Sequence, residues 1–319
     1  MSKGNWRDST KNHVTPNELA DLQKYDKKAE DLFPLLVPSF LKKNINFNNP
    51  NDPILLQVLP QKSESEENTD FSDDPVGDMD ASPIKGVIHK YHGRVLLIAS
   101  GLCAVNCRYC FRRNFPYAKN YASGNNWSNA IEYIKENTDI TEVILSGGDP
   151  LMLSTNALSK LTDKLAQIKH IKTLRIHTRI PIVSPERITN NFIQWLNKIP
   201  LKKVMVLHCN HANELSSDLH EVLKKIANTN TVLLNQSVLL KDVNDDAHVL
   251  SDLSHKLFDF GVLPYYLNQL DKAKGTHHFG IPNSTAKSLH KKLLQLLPGY
   301  LVPKLVEEIS GKMNKSPLF

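Results

Sequence analysis

Three of the chain's four cysteines, Cys103, Cys107 and Cys110, sit in the stretch GLCAVNCRYCFRRNF (101–115). Their C-x3-C-x2-C spacing is too tight for a disulfide framework and one ligand short of a structural zinc site, which closes four positions. Thiolates are soft ligands that suit iron–sulfur chemistry, and a cluster held by three of them leaves one iron open to another molecule. A zinc site completed by Cys209 or by a histidine is the alternative; Cys209 itself, far away in sequence, reads as a buried inert thiol. A second candidate is SGGDP (146–150), where Gly147 and Gly148 let backbone approach a ligand closely and Asp149 adds charge. Taken alone, that pentapeptide reads equally as an ordinary strand-to-helix turn.

Such residues act only when regular elements hold them in place. From residue 94 onward, short aliphatic or β-branched runs alternate with amphipathic stretches. The runs are VLLIA (95–99), EVILS (142–146), TLRIHT (173–178), KVMVLH (203–208), TVLLNQ (231–236) and VLPYYL (262–267). The stretches 154–168, 186–198 and 213–228 between them carry apolar residues three and four apart, the helical spacing. Six βα repeats predict a parallel α/β sheet, either a partial barrel, short of the closed eightfold form, or a doubly wound sheet. In both, chemistry belongs at the C-terminal strand ends, and the unusual polar residues do follow the runs. The cysteine loop follows the first, SGGDP the second, TRIP the third and Cys209–His211 the fourth; Asn235 and Gln236 end the fifth, and Asp271 comes shortly after the sixth.

Residues 1–60 are expected to form an N-terminal helical subdomain. In TPNELADLQKY, Thr15 would cap, Pro16 would take the first helical position and Glu18 would complete a capping box. Residues 61–93 are expected as an acidic linker and lead-in, because QKSESEENTDFSDDPVGDMDASP (61–83) is poor in large apolar groups. The barrel would occupy 94–297, and 298–319 would form a C-terminal tail. A chain of 319 residues with 40% hydrophobic content can bury a sizeable core. Its net charge of +6 does not by itself imply nucleic acid, and no aromatic-basic RNA motif accompanies it. A metal-stabilised, RNA-associated binding module is nonetheless the reading from another functional class. No stretch reaches the roughly 18 apolar residues of a membrane span, and none has the form of a signal peptide, so a cytoplasmic enzyme is the expectation.

The cysteine spacing, on a loop after the first run, resembles the signature of the radical S-adenosylmethionine (radical SAM) enzymes. This resemblance implies a partial parallel (β/α)6 barrel of radical SAM type, with an N-terminal helical extension and a C-terminal tail closing the site. It also implies a 4Fe-4S cluster on Cys103, Cys107 and Cys110, whose open iron chelates S-adenosylmethionine and cleaves it to a 5'-deoxyadenosyl radical. Ser146, Gly147, Gly148 and Asp149 would meet the methionine ammonium. His208 and Gln236 would line the adenosyl side, although both read equally as satisfied core groups. Across residues 73–315, the chain resembles the lysine 2,3-aminomutases, isomerases that add pyridoxal phosphate and move an amino group from the α to the β carbon. The blocks that carry this are HKYHGRVLL (89–97), CRYCFRR (107–113), RIHTRIPIVSPERI (175–188), LHCNH (207–211), NQSVLLKDVND (235–245) and PYYLNQLDKAKGTHHF (264–279).

The same resemblance implies individual roles. Lys315, seven residues after Glu308, would hold pyridoxal phosphate as a Schiff base, although a lysine in such a tail is ordinarily solvated. Lys90 and Arg94 would hold its phosphate with Tyr91 nearby, Lys90 standing where the family often has arginine. Arg112 would pair with the substrate carboxylate. Asp271 and Glu308 would receive its ε-ammonium, Glu308 replacing the family's aspartate. Two acids there favour a cationic amino acid, because like charges repel. The closing stretch GYLVPKLVEEISGKMNKSPLF resembles the short, EpmB-type subgroup. That subgroup implies (S)-α-lysine converted to (R)-β-lysine for the modification of elongation factor P by a separate lysyl ligase. Flavodoxin or ferredoxin is the implied electron donor, and neither a membrane nor a direct nucleic-acid partner is expected. Alternatives within enzymes are a metabolic aminomutase whose free β-amino acid is the end product, and a radical SAM enzyme without pyridoxal phosphate.

Overall fold

The computed structural model describes residues 6–19, 22–120 and 127–318. Among the described residues nine strands lie side by side in chain order: β1 (Val87–Tyr91), β2 (Arg94–Ser100), β3 (Glu142–Gly147), β4 (Thr173–Thr178), β5 (Lys202–His208), β6 (Thr231–Val238), β7 (Leu263–Asn268), β8 (Lys304–Glu307) and β9 (Ser316–Pro317). Strands β2 to β8 run parallel to their neighbours, while β1 and β9 pair antiparallel at the two edges. Among the described residues nothing joins β1 to β9, so the sheet is an open, partial barrel. The six runs read from the sequence are β2 to β7.

Helices at Thr155–Ala166, Asn190–Lys198, Leu219–Ala227 and Ala247–Asp259 alternate with the strands. The first is capped by Ser154, whose hydroxyl accepts from Ala157 N–H, and it buries Leu158, Leu161 and Leu165, the face its spacing marks out. Two helices start later than expected. The 186–198 stretch becomes helical at Asn190, because Pro185–Arg187 form a separate 3-10 turn. There the fully buried Arg187 donates to the carbonyls of Leu151 and Leu153. The 213–228 stretch becomes helical at Leu219, after a 3-10 turn at Ala212–Glu214.

Strand alternation decides what faces inward. On β4, Leu174 and Ile176 join Leu158 and Leu161 in the apolar core, whereas Arg175 and His177 line a central cavity. Barrel interiors are commonly filled by aliphatic side chains; here the polar lining leaves room for ligands.

The ends of the chain belong to this fold more closely than expected. Residues 6–19 and 22–60 carry short helical turns, and Val14, Phe40, Leu41 and Leu55 share one apolar cluster with Val95 and Leu97 of β2. At Pro16–Leu19 the capping box is present in part: the Glu18 carboxylate accepts from Thr15 N–H at 2.9 Å. Residues 1–5 and 20–21 of the expected subdomain, and residue 319 of the expected tail, lie outside the described residues. The 61–93 segment differs from a solvated acidic linker: it contains β1, and it buries Glu64 and Asp78 because arginines from the cysteine loop neutralise them. The sheet likewise outruns the expected 94–297 limits, starting at Val87 and taking in β8 and β9 of the tail. No helix among the described residues is long and apolar enough to cross a membrane.

Candidate active site

A cavity of about 830 Å³ opens among the C-terminal strand ends, and every residue given a role above lines it. The volume suits a bound organic ligand.

Cys103, Cys107 and Cys110 lie on the loop after β2. Cys110 N–H donates to the Cys107 carbonyl at 3.0 Å, and Arg113 N–H to the Cys110 carbonyl at 3.3 Å, winding the loop into tight turns. Two arginines brace it from behind. Arg108 and Arg113 both pair with Glu64, Arg113 at 2.8 Å, and Arg108 also donates to the carbonyls of Phe33 and Ala29. Burial, followed by the charge of neighbouring thiolates, pushes the Cys103 thiol well up and the Cys110 thiol to about 11. Bare thiolates are therefore unfavourable here, and a cationic iron core would relieve them; the soft, three-thiol donor set fits a cluster. Among the described residues no three His, Cys, Asp or Glu side chains converge on a single metal ion. A cluster does not need such convergence, since each thiolate takes its own iron.

The glycine pair fits against this loop. A Cβ at Gly147, whose φ is +121°, would lie 2.4 Å from the Ser100 carbonyl oxygen, and one at Gly148 would lie 2.4 Å from that of Leu102. Gly148 N–H and Asp149 N–H donate to those same two carbonyls, at 2.8 and 2.7 Å. Asp149 is buried, and its carboxylate accepts from Leu151 N–H, Thr178 Oγ1, Arg179 N–H and Ile180 N–H. It acts as a brace between the loops after β3 and β4.

Around the cavity runs a chain of alternating charge. Arg112 donates to Asp78 at 2.7 Å and to Ser146 Oγ at 3.3 Å. Lys90 bridges Asp78 at 2.6 Å and Glu308 at 2.9 Å, and Glu308 in turn accepts from Lys315 at 2.9 Å. Lys315 also donates to Asn268 at 3.1 Å. The pairing of Glu307 with Ser316 across β8 and β9 explains why Glu308 and Lys315, seven residues apart, meet. Burial would raise the Glu308 carboxyl, but Lys315 and Lys90 overturn it and hold it down at about 2. Asp271 goes the other way: burial pushes its carboxyl up to about 7, only partly opposed by Lys315. On the β1–β2 hairpin, cross-strand pairing sets Arg94 over the Tyr91 ring at 4.6 Å.

His208 and Gln236 sit side by side at the ends of β5 and β6, the histidine Nε2 facing the amide nitrogen at 3.0 Å. Burial, then the charge of Arg179, lowers His208 to about 3, so the imidazole is neutral and accepts. His177 packs edge-on to His208 at 5.9 Å, and its Nε2 is buried without a partner among the described residues. Such an orphan on a cavity wall fits a site meant to hold a polar ligand.

Glu64, Asp78 and His177 were given no role from the sequence, and Arg179 was noted only as part of TRIP. The first two sit in the acidic run that composition marks as solvated. A signal for the other two was available, since His177 and Arg179 flank the C-terminal end of a strand.

Comparison with known proteins defines first the class and then the family. Residues 92–182 match the family of 4Fe-4S single cluster domains. The fold resembles that of a radical SAM methyltransferase from Sphaerobacter thermophilus, with a TM-score of 0.50 over 69% of this chain and 68% of that one, at 16% identity. The architecture is therefore that of the radical SAM partial barrels. The chain is also 44% identical, over 99% of its length and 95% of the relative's, to an L-lysine 2,3-aminomutase of Escherichia coli K12. It is 47% identical to that of Haemophilus influenzae, over 90% of this chain and 85% of the relative. The chain belongs to the L-lysine 2,3-aminomutase family.

Proposed function

We propose that the chain is a lysine 2,3-aminomutase that uses a 4Fe-4S cluster, S-adenosylmethionine and pyridoxal phosphate to convert (S)-α-lysine to (R)-β-lysine. The observation that carries this reading is the meeting of Lys315 with Glu308 on the wall of the cavity that the three thiols line. When bound, these groups supply a 5'-deoxyadenosyl radical and a conjugated ring that spreads unpaired spin.

The chain's own residues do the positioning. Cys103, Cys107 and Cys110 hold the cluster, and Ser146 to Asp149 with His208 and Gln236 form the wall for S-adenosylmethionine. Lys315 anchors pyridoxal phosphate; Arg94, stacked on Tyr91, and Lys90 are the cations for its phosphate. Arg112, fixed by Asp78, takes the substrate carboxylate. Glu308, the carboxylate that Lys315 meets in the ligand-free chain, would receive the substrate ε-ammonium. That cation also favours the ionised form of Asp271, which burial otherwise opposes. The β8–β9 hairpin and the N-terminal segment limit water at the site.

The product feeds the modification of elongation factor P through a separate lysyl ligase, and a flavodoxin or ferredoxin supplies electrons. The resemblance of residues 298–319 to the EpmB-type subgroup supports the pathway. Anaerobically reconstituted protein, given L-lysine, L-arginine and L-glutamate in parallel with S-adenosylmethionine and dithionite, is expected to yield (R)-β-lysine from lysine on chiral chromatography. Turnover of glutamate alone refutes the pocket assignment.

A further inference from the structure

Arg179 follows β4 in the TRIP stretch, and its guanidinium is spent inside the protein. Only 5% of the residue is exposed. Nη1 donates to Cys107 Sγ at 2.7 Å, while Nη2 donates to Gln57 Oε1 and Glu214 Oε2, both at 2.7 Å. Nε is buried with no partner among the described residues. The acceptors are themselves fixed. Glu214, fully buried, accepts through Oε1 from the N–H groups of Asn210 and His211, and Gln57 Oε1 accepts from Asn210 Nδ2 at 3.0 Å. Arg179 N–H donates to the braced carboxylate of Asp149. Together these contacts aim a permanent cation at a sulfur.

We propose that Arg179 sets the reduction potential of the cluster by donating a hydrogen bond to the Cys107 thiolate. The inference rests on the reading that Cys103, Cys107 and Cys110 hold a 4Fe-4S cluster. A donor to a ligand sulfur draws electron density from the iron, and hydrogen bonds of this kind are among the determinants of cluster potential. Reduction adds one electron from a low-potential donor of the flavodoxin or ferredoxin class and makes the cluster one unit more negative. A fixed cation at Cys107 stabilises that reduced state more than the oxidised one. No proton moves, because a guanidinium stays charged. Glu214 offsets part of the charge but binds Nη2, leaving the Nη1 bond to sulfur intact. Arg179 is thus a positioning residue that acts through Cys107 and makes the cluster easier to reduce.

The test is an EPR-monitored redox titration of the anaerobically reconstituted full chain, with iron and sulfide measured on each sample. Arg179→Gln removes the charge. It is expected to load a cluster and to shift the reduced-to-oxidised ratio at fixed potential at least tenfold toward oxidised, about 59 mV downward for a one-electron couple. Arg179→Lys keeps the charge and is expected to shift less. A fully loaded Arg179→Gln protein with the wild-type potential overturns the proposal. Should the variants not load, the wild type labelled with 15N in its arginine guanidinium groups decides: a 15N coupling to the reduced cluster in pulsed EPR is expected, and its absence overturns the proposal. Wild type that takes up no iron and sulfide defeats the cluster reading itself, a distinguishable failure.

Discussion

Substituting Gly148 by alanine tests whether the glycine pair sets the position of the cysteine loop. The added Cβ would lie 2.4 Å from the Leu102 oxygen and 2.8 Å from the Leu102 carbonyl carbon, while ordinary contact begins at 3.4 Å. The obstructing atoms are backbone, so no side chain can swing aside, and the loop must retreat by about 1 Å. Asp149 N–H, bonded to the same oxygen at 2.7 Å, pulls against that retreat. A displacement of that size at reacting groups costs about 100-fold in rate. Gly299, where a Cβ meets nothing within 4 Å, serves as the control site. Both variants would be reconstituted anaerobically, their iron, sulfide and melting temperature measured, and β-lysine formation timed. Gly148→Ala is expected to lose about two orders of magnitude in rate or a large share of its iron, and Gly299→Ala neither. A Gly148→Ala protein with full iron and a rate within about twofold of wild type would refute the reasoning.

Removing Arg108 leaves Glu64 buried beside Arg113 alone; Arg108→Ala is expected to cost about 3–5 kcal/mol in urea denaturation, and a loss below about 1 kcal/mol would contradict the buried-pair reading. Asp271 in the folded, ligand-free chain keeps a proton to about pH 7, against 3.8 when unfolded, so the folded state binds more protons in that window and stability falls as pH rises through it. Asp271→Asn should flatten that fall in a denaturation series from pH 4 to 7. Glu308 has the opposite sign: held at about 2 against 4.5, it adds stability above pH 4.5 that disappears as pH drops toward 2, and Glu308→Gln should abolish that loss. Lys315→Ala is expected to lose the visible absorbance of bound pyridoxal phosphate while keeping its iron and sulfide; retained absorbance would place the cofactor lysine elsewhere.

Much of this arrangement was legible in the sequence because it is local. The runs at 95–99 through 262–267 are β2 to β7, and polar residues follow them because parallel strands all deliver their C-terminal ends to one rim. The short strands β1, β8 and β9 lie outside the repeat and carry no sustained period. Composition also misreads residues 61–83. Whether an acid is buried depends on its partner, and the partners of Glu64 and Asp78 arrive more than 30 residues later, at Arg108 and Arg112. Asp149, read from the sequence as a ligand group, also holds two loops together, a role that depends on partners 30 residues away. Lys315 is half-sheltered by the β8–β9 hairpin, a long-range feature that only the family resemblance anticipated.

L-lysine carrying deuterium at C3, incubated anaerobically with the reconstituted protein, S-adenosylmethionine, pyridoxal phosphate and a low-potential reductant, tests the radical rearrangement most directly. Deuterium is expected at C2 of the β-lysine formed and in the 5' position of recovered S-adenosylmethionine. Label that stays on C3 of unchanged lysine, in protein carrying full iron and sulfide, would contradict the account.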